Sequence, residues 1–161
     1  MNRVRLWRAG WAAWLALAAA IVLAAPVRVA HADPLDAGRI VRLTNESRRQ
    51  AGVKPVTMDE RLMAAARAKL FDMLKKDYFA HRAPDGRQPW AFMQAAGYRF
   101  QAAAENLAKG YDNEPELQRA WMKSRGHRAN ILNPQFTEIG VADANGIVVV
   151  MFGRPAPPKT P

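Results

Sequence analysis

The sequence contains no cysteine among its 161 residues. A thiol nucleophile, a disulfide framework and a cysteine-linked lipid anchor are therefore excluded. A chain of this size is long enough to bury about two-thirds of its unfolded surface, so the fold must rest on packing alone.

Acidic residues are also scarce, with 14 Asp and Glu against 24 Lys and Arg, which gives a net charge of +10. The basic residues form no dense stripe interleaved with aromatic residues, and no glycine-rich phosphate loop is present. Nucleic acid and nucleotides are therefore not expected partners. The basic balance suits an anionic envelope surface or polymer, or a solvated surface with no partner.

Charge is absent from one long segment near the start of the chain. Arg3, Arg5 and Arg8 precede an uncharged run over residues 9–25, and Ala30-His31-Ala32 has the small-x-small pattern of a cleavage site. Residues 1–32 are therefore predicted to be a secretory signal peptide, cut after Ala32. A retained membrane anchor is the alternative, but the apolar run is short and Pro26 ends it. Cleavage would remove four arginines and no acid, lowering the net charge from +10 to +6.

Helical patterns dominate the first two-thirds of the remaining chain. Residues 36–50 read as an amphipathic helix, and Thr57 with Glu60 forms the capping-box pattern of a second. Three shorter features follow: a loop over residues 78–89, a short helix to Gly97, and a helix capped by Asn113 that is predicted to end at Gly126. Residues 98–109 are ambiguous between helix and strand. Trp90 and Trp121 are expected in the core.

The last third predicts a β-hairpin, with strands over 136–143 and 147–152 joined at Asn145-Gly146. The second strand is almost wholly apolar, so it should lie in the middle of a sheet that is covered on both faces. The expected fold is α+β, with helices on both sides of a small antiparallel sheet. One domain over 33–153 and a disordered proline-rich tail over 154–161 complete the organisation, and no feature points away from a monomer.

Histidine is rare as well, and two of the three histidines flank a glutamate in an otherwise neutral stretch. These residues are His81, Glu105 and His127. A buried carboxylate needs a cationic, metallic or hydrogen-bonding partner, and either histidine could supply it. No HExxH or other local metal motif is present, so spacing alone leaves open a surface histidine at 81 and a helix-end histidine at 127. Arg128 is a further candidate partner for Glu105 or Glu138.

Several segments, in this order, resemble the bacterial branch of the CAP superfamily of SCP-like extracellular proteins: Thr44-Asn45-Glu46, YFAH, PDGRQPW, AAGY, AENLAKGY, AWMKSRGHRANILNP and FTEIGV. The similarity runs from about Gly38 to Gly153. The superfamily includes cysteine-rich secretory proteins, antigen 5 and pathogenesis-related proteins. Membership implies a three-layer α-β-α sandwich and a secreted or periplasmic location.

The resemblance also implies a site. In animal and plant members, two histidines and two glutamates line a cleft that holds a divalent metal, and His81, Glu105 and His127 match three of these positions. The fourth position is Ser124 in this chain. Three donors with an open position would suit zinc, which makes zinc or another divalent ion the expected cofactor if one binds.

Three functions follow as hypotheses. The first is a secreted binding module whose cleft holds a metal, a small ligand, a lipid or an envelope component. The second is a metal-dependent hydrolase in which His81, Glu105 and His127 are the catalytic candidates. The third is a structural envelope protein in which the same three residues form a buried hydrogen-bonded cluster.

Overall fold

The structure is a computed structural model that describes residues 35–158. The predicted signal peptide lies outside the described residues. In the described part of the chain, the helices are α1 (Ala37–Gln50), α2 (Glu60–Lys76), α3 (Pro89–Ala95), α4 (Glu114–Lys123) and α5 (Arg125–Ile131). The strands are β1 (Thr57–Met58), β2 (Phe100–Lys109), β3 (Glu138–Ala144) and β4 (Ile147–Pro155).

The four strands form one sheet in the order β1-β3-β4-β2. The Val-rich strand β4 lies in the interior of this sheet, as its apolar sequence predicts, and pairs antiparallel with β2 and β3. The expectation of a wholly antiparallel sheet is wrong at one edge, where β1 pairs parallel with β3. Strand β2 forms the opposite edge, and the candidate site is built there.

Each face of the sheet packs against its own helices, which confirms the three-layer α-β-α sandwich. Because side chains alternate along a strand, Val148, Val150 and Phe152 of β4 join the core under α1, α4 and α5. The intervening residues of β4 join a second core under α2 and α3, with Leu62, Met73 and Met93 among its members. Burial of these two apolar faces is the main favourable term in the fold.

The hairpin between β3 and β4 turns at the predicted residues. Asn145 and Gly146 have positive φ angles of 50° and 70°. A two-residue turn with both residues in this region matches the right-handed twist of the paired strands.

Three predicted boundaries are wrong. Helix α2 is capped by Asp59, whose carboxylate accepts from the backbone N–H groups of Arg61 and Leu62, because Thr57 is taken into β1. Gly126 lies inside α5, and the break between α4 and α5 is Ser124, whose backbone is extended. Strand β4 continues to Pro155, two residues into the predicted tail.

The fully buried side chain of Arg48 joins distant parts of the chain. Its guanidinium donates to the carbonyl oxygens of Lys54 (2.7 Å), Ile131 (2.8 Å), Asn133 (3.0 Å) and Phe136 (2.9 Å). These bonds fix the end of α5 and the approach to β3 against α1. Burial lowers the pKa of Arg48.

Gly140 lets α2 approach the sheet closely. A Cβ atom at this position would overlap the backbone of Leu62 and Met63. The contact of α2 with β3 therefore requires glycine. Across residues 35–158, none of the helices has the length and apolar character needed to cross a bilayer.

Candidate functional site

Glu105 and His81 form a hydrogen-bonded pair at the edge of the sheet. His81 Nδ1 lies 2.7 Å from Glu105 Oε1, and the two side chains are 59% and 1% exposed. An ionised carboxylate can only accept, so Nδ1 carries the proton in that state and Nε2 is left to face solvent. The pair thus couples an accessible imidazole to a buried acid.

The second oxygen of Glu105 is buried without a hydrogen-bond partner among the described residues. Burial raises the pKa of the Glu105 carboxyl, and this outweighs the lowering effects of the His81 hydrogen bond and the Lys69 charge. Oε2 is therefore a buried acceptor that a ligand or a water molecule could satisfy.

Lys69 holds the backbone that carries His81. This lysine of α2 is fully buried, and its Nζ donates to the carbonyl oxygens of His81 (2.7 Å) and Ala80 (2.8 Å) and to the hydroxyl of Tyr78 (3.2 Å). The Tyr78 hydroxyl donates in turn to Asp72 (2.6 Å). Burial lowers the pKa of Lys69, partly opposed by the negative charge of Glu105. Sequence reasoning missed Lys69, although it occupies an inward position of the α2 stripe.

Two asparagines fix α5 against β2. The buried Asn106 donates to the backbone carbonyl of His127 (3.2 Å), and Asn130 donates to Asn106 Oδ1 (2.8 Å) and to the Glu105 carbonyl (3.3 Å). Asn130 thus bridges the side chain of Asn106 and the backbone of Glu105. These bonds set the position of α5 relative to Glu105.

The His81–Glu105 pair lies in a cavity of about 290 Å³, which we call the proximal cavity. Its walls come from the segment after α2, from β2 and from α5, and its lining residues are His81, Gln88, Pro89, Trp90, Ala103, Ala104, Glu105 and Asn130. Trp90, expected in the core, is instead 38% exposed on this wall, whereas Trp121 is buried as predicted.

His127 lines a second cavity of about 320 Å³ that we call the distal cavity. Ser124, Trp121 and Tyr111 line the same cavity. The half-buried imidazole lies at a ring-centre distance of 6.2 Å from Trp121. Burial, with a smaller effect of the His81 charge, lowers the pKa of His127. The backbone carbonyl of His127 accepts the hydrogen bond from Asn106 of the Glu105 strand.

The predicted partners of Arg128 are also different. Glu105 pairs with His81, and Glu138 accepts from the Tyr98 hydroxyl at 2.6 Å. Arg128 lies instead on the outer face of α5, where it lines a shallow groove with Met122 and Leu132. Its position on the exposed side of a short helix explains why it reaches neither acid.

The sequence profile of the Cysteine-rich secretory protein family, CAP, matches residues 41–148. The chain is a member of the CAP family. This match covers most of the described fold and includes every residue of the candidate site.

Sequence relatives of this CAP protein occur in Bacillus subtilis. It is 48% identical over 103 residues to the uncharacterized protein YkwD and 30% identical over 103 residues to the uncharacterized membrane protein YlbC. In each case 64% of this chain is aligned, against 40% of YkwD and 30% of YlbC. The chain thus spans less than half the length of these relatives.

Solved bacterial structures share the fold. An extracellular protein with an SCP domain from Bacillus anthracis matches with a TM-score of 0.69 and 30% identity, over 73% of this chain and 39% of that one. An outer surface protein from Borrelia burgdorferi matches with a TM-score of 0.65 and 20% identity, over 76% of this chain and 98% of that one. The second likeness concerns the fold alone.

The donor side chains that this chain brings together do not match the metal site implied for CAP proteins. Within residues 35–158, no three His, Cys, Asp or Glu side chains come together in a way that would hold a metal ion. The structure brings His81 and Glu105 together and leaves His127 in the distal cavity beside Ser124. Two donors are fewer than a zinc site requires. The three-residue metal site predicted from the sequence is therefore not assembled in this conformation.

Proposed function

We propose that this CAP protein is an exported bacterial binding module whose proximal cavity takes a small ligand. The observation that carries this proposal is the buried, unpartnered Oε2 of Glu105. A ligand that donates a hydrogen bond there would satisfy an acceptor that is otherwise costly to bury. The exposed ring of Trp90 offers an apolar surface at the same cavity.

The size and position of the cavity support the same reading. At about 290 Å³, the proximal cavity is close to the lower end of the range for small-molecule sites. The Lys69 and Asn130 contacts fix its walls before a ligand arrives. Preorganisation of this kind lowers the entropy cost of binding. A secreted or periplasmic location follows from the predicted signal peptide and agrees with the extracellular relative in Bacillus anthracis.

The test is thermal unfolding of the purified protein against a panel of small envelope-derived compounds. A ligand at about 100 times its Kd should stabilise the fold by about 2.7 kcal/mol. We expect this shift in the unmodified protein and in Glu116→Gln, an exposed control on α4, but not in Glu105→Gln. Equal shifts in all three proteins would place the ligand elsewhere and contradict the proposal.

A hydrolase is the second candidate, because the His81–Glu105 contact is the arrangement of a base oriented by a carboxylate. It predicts turnover that is lost in His81→Gln while the melting temperature is kept. The donor set gives no support to a route through metal, so we expect neither EDTA nor zinc to change the melting temperature. A rise caused by zinc that Glu105→Gln abolishes would overturn that expectation and restore the metal site.

The third hypothesis, a purely structural cluster, receives less support. It requires His81, Glu105 and His127 to form one buried hydrogen-bonded cluster, whereas the side chain of His81 is exposed and the bond from His127 to the strand of Glu105 is made by its backbone carbonyl. An exposed imidazole contributes little to a buried cluster.

A further inference from the structure

The proximal and distal cavities lie side by side along the same structural elements. Strand β2 lines the proximal cavity with Ala103 to Glu105 and the distal cavity with Leu107 to Lys109. The distance along the strand from Ala103 to Lys109 is about 20 Å at the usual rise per residue.

The two other walls repeat this arrangement. In the segment after α2, His81 lines the proximal cavity and Phe79, two residues earlier, lines the distal one. In α5, Asn130 lines the proximal cavity and His127, one turn earlier, lines the distal one. Neighbouring positions of all three elements thus line the two cavities in turn, which places the cavities side by side; we call the pair the cleft.

An extended peptide that adds a strand to β2 is not the expected occupant. The outward-facing carbonyl of Glu105 accepts from Asn130 (3.3 Å), and that of Leu107 accepts from Trp121 Nε1 (3.4 Å). These side chains from α4 and α5 occupy the free edge of the sheet. Strand addition depends on free main-chain groups at such an edge, and here these two carbonyls are already bonded.

The side chains that line the cleft have a different chemistry. Trp90 at one end and Phe79 and Tyr111 at the other offer aromatic surface, and all three are at least partly exposed. Between and beside them lie three planar polar groups: Nε2 of His81, the imidazole of His127, and the amide oxygen of Asn130, whose amide nitrogen already donates within the protein. Flat apolar faces beside such groups complement pyranose rings, which have apolar C–H faces and a rim of hydroxyl groups.

We propose that the cleft binds an oligosaccharide of the bacterial envelope, long enough to occupy both cavities at once. This inference rests on the proposed binding function and specifies its ligand class. A hydroxyl group of the sugar would donate to Glu105 Oε2 in the proximal cavity. The next units would extend along β2 to Tyr111 in the distal cavity.

Isothermal titration of the purified protein with β-1,4-linked N-acetylglucosamine oligomers tests the proposal, since bacterial wall glycans share this linkage. We expect the pentasaccharide to bind at least about tenfold more tightly than the disaccharide, which corresponds to about 1.4 kcal/mol. Trp90→Leu and Tyr111→Leu, which keep apolar bulk but lose the aromatic face, should each remove that advantage. The matched control is Phe71→Leu, an exposed aromatic of α2 outside the cleft.

Melting temperatures without sugar show whether each variant is folded. Equal affinity for the two lengths, no binding of the pentasaccharide, or an unchanged advantage in folded Tyr111→Leu would each overturn the proposal. The proposed function can survive that result, because a small compound that binds only when Glu105 is intact would still support it. If neither the sugar oligomers nor the small compounds bind, both the proposed function and this inference are wrong.

Discussion

Replacing the buried Arg48 with methionine tests how the edge of the candidate site is held in place. Methionine keeps most of the side-chain volume but removes every donor that reaches Lys54, Ile131, Asn133 and Phe136. The fold would then have to accommodate carbonyl groups that lose their partners.

The magnitude follows from which of those carbonyls are shielded from water. The bonds to Ile131 and Phe136 are buried, whereas those to Lys54 and Asn133 are partly accessible. An orphaned buried polar group costs about 1–3 kcal/mol, so the two buried carbonyls together cost about 4 kcal/mol. Removal of a buried charge offsets part of this cost and leaves a net loss of about 3 kcal/mol.

The assay is thermal unfolding followed by circular dichroism, with Arg49→Met as the control. Arg49 is the next residue of α1 and is exposed, so its replacement should change stability by less than about 0.5 kcal/mol. For Arg48→Met we expect the melting temperature to fall by about 12 °C, at roughly 4 °C per kcal/mol for a domain of this size. A fall no larger than that of the control would refute the accounting of buried carbonyls.

Three further predictions concern packing and pH. Gly140→Ala should destabilise the protein by about 3 kcal/mol or more, because its Cβ would overlap the Leu62 backbone. The control is Gly126→Ala in α5, which has open space around its Cβ and should not be destabilised. Chemical denaturation measures both. The pKa of Glu105 is higher in the folded than in the unfolded state, so the folded protein loses stability as the pH rises above the unfolded-state pKa and the buried carboxyl ionises. Glu105→Gln cannot ionise. It should therefore melt higher than the unmodified protein at pH 7 and equally at about pH 4. A variant that melts lower at pH 7 would contradict this. The pKa of His127 is lower in the folded than in the unfolded state, so the free energy of unfolding should fall as the pH drops below about 6.5. If stability falls just as steeply with pH in His127→Gln, this residue is not the cause.

The parts of the fold that sequence predicts well are those in which one local signal agrees with the tertiary environment. The apolar run over residues 147–152 correctly predicts an interior strand, and Asn145-Gly146 correctly predicts its turn. The stripe of α2 is buried as its helical spacing indicates. In these segments the residues that the local pattern favours are also the residues that the packing of the fold needs.

Strand β2 shows where local signals fail. Its alanines favour a helix, but pairing with β4 along residues 100–109 decides in favour of a strand. The extended backbone at Ser124 likewise starts a new helix where Gly126 seemed to end one. That new helix carries His127, which lies near Trp121. Of the three side chains that the sequence singles out, the structure brings His81 and Glu105 into contact.

Lys69 and Arg48 were detectable in principle. Each lies on the buried face of its helix, Lys69 one turn after Ala65 and Ala66 and Arg48 one turn after Thr44. A cation at an inward position of an amphipathic helix signals a buried donor. What the sequence cannot supply is the identity of the carbonyls that receive its hydrogen bonds, since these come from loops far along the chain or from a different element.

The tether from Lys69 has a consequence for how this protein can evolve. Of its three ammonium contacts with residues 78–81, one is to the Tyr78 hydroxyl and two are to the backbone oxygens of Ala80 and His81, which any side chain at those two positions would leave in place. Gln88 and Trp90, at the start of α3, take no part in these bonds, so we expect their replacement to leave the anchor in place. The lining of the proximal cavity can thus vary in sequence while the backbone that carries His81 is held as before.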